Sequence, residues 1–152
     1  MPDPTFPGVT PYLVVSNGPA AIAFYQAAFG AVELNRSPAP HSDKLMHATL
    51  SVNGGVFMLA DDFPEFMGGK SRTPQAFGGS PVTLYLEVAD ADAAWAMALA
   101  AGATVTFPLA DQFWGARYGK LADPFGHEWS IGQPLRVVPE AEAQLAAEEY
   151  FK

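Results

Sequence analysis

The side chains able to do chemistry are few in this chain of 152 residues. There are three histidines, no cysteines, eight Lys or Arg and sixteen Asp or Glu. Without cysteine there is no thiolate nucleophile, no zinc–thiolate site and no disulfide frame. The densest group lies in Asp111 to Ile131, DQFWGARYGKLADPFGHEWSI, where Trp114, Arg117, Tyr118, Asp123, His127, Glu128 and Trp129 surround Gly115, Gly119, Pro124 and Gly126. His47 and Glu128 are the candidates for acid/base work, since one titrates near neutral pH and the other is a carboxylate. For His47 a hydrogen-bonded strand histidine is an equal alternative. Arg117 is suited to a planar anion, either Glu128 internally or the carboxylate or phosphonate of a ligand. Tyr12, Tyr85 and Trp114 supply aromatic walls for a flat or cationic ligand, or edge-packed rings with solvated hydroxyls.

These residues must be positioned by short strands and two helices. Residues 9–16 have strand composition. Asn17 is placed to cap a helix in which Ile22, Tyr25 and Phe29 recur, and Gly30 to end it. Residues 31–36 form a short strand. In Lys44–Val52, alternation puts Met46, Ala48, Leu50 and Val52 on one face and His47, Thr49 and Ser51 on the other. Asn53-Gly54 predicts a hairpin turn into a strand over 56–60. The pattern then restarts: strand 82–88, a helix capped by Asp90 or Asp92 through Trp95 and Leu99 to Gly102, strand 104–109, and two strands around the D-P-F-G turn. PYLVVSNGPAAIAFYQAAFGA and LYLEVADADAAWAMALAAGA share Tyr12/Tyr85, Leu13/Leu86, Val15/Val88 and Gly30/Gly102, an internal repeat of about 73 residues. Through that repeat Arg117 aligns with the His47 face. His127, Trp129, Ile131 and Trp95 are expected in helix–sheet packing.

The expected organisation is one domain over 1–152. It comprises repeat 8–61, repeat 81–134, a linker or loop over 62–80, and a C-terminal helix over 138–150. The 62–80 stretch is rich in Gly, Pro, Met and Phe; Phe63, Phe66, Met67 and Phe77 suit a loop that folds over something. Its Gly68-Gly69-Lys70-Ser71 is no phosphate loop, because Pro64 stands where the first glycine belongs and no strand leads in.

Net charge −8 argues against nucleic-acid backbone binding. No apolar run approaches the roughly 20 residues of a membrane span. The start, MPDPTFPGVTP, lacks the basic and apolar regions of a secretion signal, so a cytoplasmic location is expected.

TPYL, FYQAAFGA, MHATL, MLADDFPE, DQFWGARYG and DPFGHEWS together make residues 8–134 resemble the vicinal oxygen chelate superfamily of glyoxalases, bleomycin-resistance proteins and dioxygenases, and within it the PhnB-like subgroup. The resemblance implies an α+β fold of two βαβββ repeats curled into open, barrel-like sheets. It also implies a homodimer, with pockets formed within one chain or by modules exchanged between two, the 62–80 segment being one part that could cross over. In this family a divalent metal sits between the halves, held from the first and fourth strands of each, usually by His or Gln and then Glu. Those positions fall on Thr10, Met58, Thr83 and Ser130, none a good ligand. The usual metal site is therefore expected to be absent and no cofactor is expected, with His47 and Glu128 left as a non-standard metal pair. The same resemblance turns Glu128, Ser130, Tyr12, Tyr85 and Met58 toward a cavity.

The functional expectation is a metal-free protein binding a drug-like or hydrophobic small molecule through Tyr12, His47, Met58, Tyr85, Trp114, Arg117 and Glu128. The alternative is a lyase or isomerase with His47 or Glu128 as base and Arg117 holding an anionic intermediate. A protein-partner module without a ligand is the third reading.

Overall fold

A computed structural model describes residues 8–152; most of the N-terminal stretch considered for a secretion signal lies outside them. The element order is β1 (Tyr12–Val15), α1 (Gly18–Phe29), β2 (Val32–Pro38), β3 (Leu45–Val52), β4 (Gly55–Asp61), a 3-10 turn at Pro64–Phe66, α2 (Pro74–Phe77), β5 (Thr83–Glu87), α3 (Ala91–Ala101), β6 (Thr104–Asp111), β7 (Ala116–Ala122), β8 (Glu128–Pro134) and α4 (Glu140–Tyr150). The fold is α+β, two βαβββ modules. Each forms a four-stranded sheet, ordered β1-β4-β3-β2 and β5-β8-β7-β6, in which the first strand is parallel to the fourth and the remaining pairs are antiparallel.

Local chemistry sets the boundaries. The Asn17 side chain accepts from the Ala20 N–H and the Asp90 side chain from the Ala93 N–H, so both helices begin with a side-chain cap. Asn53 and Gly54 both adopt left-handed φ (51° and 79°), as a tight two-residue hairpin turn requires. One strand expectation needs correction. Strand alternation puts Met46 with Ala48 and Leu50, but Ser37 pairs with His47 while Pro38 pairs with Leu45. Two β3 residues thus oppose one step of β2, and this bulge turns Leu45 into the core and leaves Met46 half exposed.

Both modules bury one sheet face against α1 and α3 in a single shared core. Tyr25 and Phe29 of α1 meet Phe57 of β4 and Trp129 of β8, with ring centroids 4.6–5.6 Å apart, so the aromatic cluster spans both modules. Trp95 of α3 lies over Gly119, where a Cβ would come within 2.7 Å of the indole ring. Buried Asp123, in the D-P-F-G turn, accepts from Tyr25 Oη (2.6 Å), Trp129 Nε1 (2.9 Å) and the backbone N–H groups of Phe125 and His127. Burial, then the Asp123 charge, push the Tyr25 phenol well above its ordinary pKa, so it stays a neutral donor. No helix among the described residues is long and apolar enough to cross a membrane.

Candidate functional site

Because strand side chains alternate, burying one face of each sheet turns the other outward. On the first sheet Tyr12, Met58, Thr49 and Asn35 stand in register across β1-β4-β3-β2. On the second, Tyr85, Ser130, Lys120 and Phe107 stand in the equivalent row across β5-β8-β7-β6. Tyr12 and Tyr85, on the edge strands, are 50% and 54% exposed, whereas Thr49 and Ser130 on the inner strands are buried.

The first face carries a short polar chain. Tyr12 Oη lies 3.0 Å from His47 Nδ1, and His47 Nε2 lies 2.8 Å from the buried hydroxyl of Thr49. Both ring nitrogens are engaged, and the tautomer decides whether the Tyr12 hydroxyl meets a ligand as donor or acceptor. Partial burial raises the Tyr12 pKa, so the phenol remains protonated. Beside Thr49, the Oδ1 of Asn35 is buried with no hydrogen-bond partner among the described residues. It is an acceptor to which a ligand could donate.

On the second face Glu128 accepts from Thr83 Oγ1 (2.5 Å) and Thr106 Oγ1 (3.3 Å), and Lys120 Nζ stands 3.6 Å away. The Thr83 bond, more than the Lys120 charge, holds the Glu128 carboxyl below its usual pKa. A depressed folded-state pKa contributes stability above the ordinary carboxylate range and loses it as pH falls through the folded value. Thr83→Val is expected to move the Glu128 midpoint back up toward the ordinary carboxylate range, as followed by carboxyl carbon NMR titration. An unchanged midpoint would remove the hydroxyl from this account.

The Tyr85 ring lies over Gly132, where a Cβ would come within 2.5 Å of its hydroxyl oxygen. Tyr85 and Tyr118 stack at 6.4 Å, and Trp114 meets Tyr118 edge-on at 5.6 Å. Where the two modules meet, Pro11, Val56, Phe57, Thr83, Tyr85 and Trp129 line a hollow of about 280 Å³. Pro11, Tyr12, Leu13, Val82, Leu84 and His127 line a second, of about 270 Å³. His127 Nε2 lies 2.8 Å from the Val14 carbonyl, tying the D-P-F-G turn to β1.

Arg117 does not share the outward face. It pairs with Gln133 and Asp111 across β7, one residue out of phase with Tyr118 and Lys120, and its guanidinium binds Asp92 (3.0 Å) and Asp111 (3.0 Å) on the helix side. The cation beside Glu128 is instead Lys120, which sequence reasoning missed along with Asn35; Tyr118 and Thr49 stand on these faces too, though neither is among the expected ligand-binding residues. Counting outward from the D-P-F-G turn pairs 122 with 128 and 120 with 130, and that signal was available.

Residues 8–131 match the Glyoxalase/Bleomycin resistance protein/Dioxygenase superfamily, and the chain belongs to that family. Protein Rv0887c of Mycobacterium tuberculosis is 55% identical over 140 residues, covering 92% of this chain and 82% of its own. The structure of the Arabidopsis thaliana At5g48480 product is 32% identical, with a TM-score of 0.65, over 84% of this chain and 98% of that one. A PhnB protein from Bacillus cereus has the same fold, with a TM-score of 0.63 at 21% identity over 84% and 99% of the two chains.

The family implies a divalent metal, and the residues here do not fit one. The ligand positions hold Thr10, Met58, Thr83 and Ser130, three hydroxyls and a thioether, and the Thr83 hydroxyl is already committed to Glu128. His47 and Glu128 lie on different sheets and each is bonded to other partners. Among the described residues no three His, Cys, Asp or Glu side chains converge.

Proposed function

We propose that this chain is a metal-free small-molecule binding protein of the glyoxalase/bleomycin-resistance type, which sequesters a hydrophobic or drug-like compound. The observation that carries the reading is the content of the metal positions. Where the family needs carboxylate and imidazole, this chain has Thr10, Met58, Thr83 and Ser130. What remains on the outward faces is exposed tyrosine with a few fixed polar groups, the usual composition of a binding site. The alternative of a lyase or isomerase with His47 or Glu128 as base draws less support, because both His47 ring nitrogens are already engaged by Tyr12 and Thr49 and a carboxylate held below its ordinary pKa is a weak base. Tyr12, His47, Met58, Tyr85, Trp114 and Glu128 are the ligand-facing residues in this reading, with Lys120 added and Arg117 removed. We include a homodimer in the proposal, since the exposed tyrosines on the edge strands suit closure by a second copy.

Ligand-induced rise in melting temperature across a broad compound library tests the reading. The expected result is stabilisation by apolar aromatic compounds, lost in Tyr85→Ala and Tyr12→Ala, with metal-replete buffer adding nothing. Tight binding of one divalent ion per chain, abolished by His47→Ala or Glu128→Ala, would overturn it. So would turnover of the methylglyoxal–glutathione adduct that vanishes in Glu128→Gln.

A further inference from the structure

The eight Lys and Arg side chains are not used alike. Arg36, Arg117, Lys120, Arg136 and Lys152 each form an ion pair, and Lys44 donates to the Asp62 carbonyl. The other two, Lys70 and Arg72, have neither an ion pair nor a side-chain hydrogen bond among the described residues. In a chain of net charge −8 these two cations stand two residues apart, in the 62–80 segment. They line one hollow of about 620 Å³ together with Met67, Ser71, Ala76 and Phe77.

The segment that displays them is pinned at both ends. Asp62 accepts from Ser71 Oγ (2.5 Å) and from the Arg72 N–H (3.1 Å), so this carboxylate is bonded to the hydroxyl and the backbone and to neither cationic head. Thr73 and Pro74 are buried, and Pro74 packs so closely on Gly126 that a Cβ there would come within 2.8 Å of it. Beside the cations, Phe77 is 68% and Met67 49% exposed. Fixed backbone, paired free cations and uncovered apolar side chains are together the complement of an anionic head on an apolar body.

We propose that Lys70, Arg72, Met67 and Phe77 form a second binding site, separate from the outward sheet faces, for an organic anion with an aryl or acyl body. Arg72 supplies a planar fork and Lys70 a point charge for the head, and Phe77 and Met67 cover the body. The site is independent of the function proposed above.

Amide chemical-shift titration of the full chain tests it. The probes are 4-phenylbutyrate, phenyl phosphate and neutral 4-phenylbutan-1-ol. Residues 67–78 are expected to shift saturably with the acids, and the two acids separate carboxylate from phosphate preference. The alcohol should bind at least about tenfold more weakly, since it forgoes the charge-assisted bonds. Lys70→Gln/Arg72→Gln should lose the acid preference, and Phe77→Ser should weaken every probe; all three positions are exposed, so the fold is retained. Equal response to acid and alcohol, shifts confined to the sheet faces, or an unchanged response in the double variant would overturn the proposal. Response of 67–78 to an acidic peptide alone would do so too, by assigning the surface to a protein partner.

Discussion

Asp123→Ala is expected to lose about 3–5 kcal/mol of folding stability, seen in urea unfolding followed by circular dichroism. The carboxylate receives four hydrogen bonds, and removing it strands the Tyr25 hydroxyl, the Trp129 indole N–H and two turn N–H groups around a buried gap. In a chain of this length that loss lowers the melting temperature by roughly 10 °C. Asp123→Asn should fall between Ala and the parent. Its amide oxygen can serve the Phe125 and His127 N–H groups, and its NH2 can donate to a reversed Tyr25 hydroxyl. The Trp129 N–H can only donate, so it remains unpaired. An Ala variant within about 1 kcal/mol of the parent would show that water replaces the carboxylate, and the hub would lose its importance. The effect belongs to the fold, not to ligand binding: Asp123 holds the aromatic cluster from α1 to β8, on the side away from Tyr85 and Glu128.

The modules could be read from the sequence because their signals are local. Asn17, Asp90, Gly30, Gly102 and Asn53-Gly54 mark element ends by backbone chemistry, and the Tyr-x-x-Val frame ties the two halves together. Strand parity from Ser130 was enough to separate Glu128 from Trp129, now seen facing opposite ways. The errors share one cause, a slip of a single residue, which reverses a strand's faces. At Met46 the slip is a bulge with no sequence mark of its own. At Arg117 it arose in carrying the repeat across β3 and β7, where no residue identity fixes the alignment; the register puts Lys120 opposite Ser130 as Thr49 lies opposite Met58. The 62–80 segment was opaque for another reason. Asp62, Thr73 and Pro74 pin it through contacts between residues far apart or without period, and neither composition nor alternation reports those.

Asp61→Ala is expected to cost about 2–4 kcal/mol, more than the corresponding change at Gln133 in the second module. The repeat places the two residues alike: Asp61 is the last residue of β4 and Gln133 the last but one of β8, and each accepts a hydrogen bond from the first N–H of its module's helix. Asp61 takes the Gly18 N–H at 2.9 Å and the Leu45 N–H at 2.7 Å, both buried; Gln133 takes only the Ala91 N–H, at 2.9 Å and partly buried. One neutral, partly solvated bond is worth about 1 kcal/mol, so Gln133→Ala should cost no more than that. The shorter acid also accounts for the residue it serves. A Cβ on residue 18 would come within 2.5 Å of Asp61 Oδ2, so that helix starts with glycine, whereas the longer glutamine serves Ala91. Gly18→Ala is therefore expected to destabilise although alanine favours helix, and Asp61→Ala should relieve part of that penalty in the double variant, the Leu45 side chain still standing 3.0 Å from the new Cβ. Equal costs at Asp61 and Gln133, or strictly additive effects of Gly18→Ala and Asp61→Ala in urea unfolding, would contradict this coupling between the first module's helix and its fourth strand.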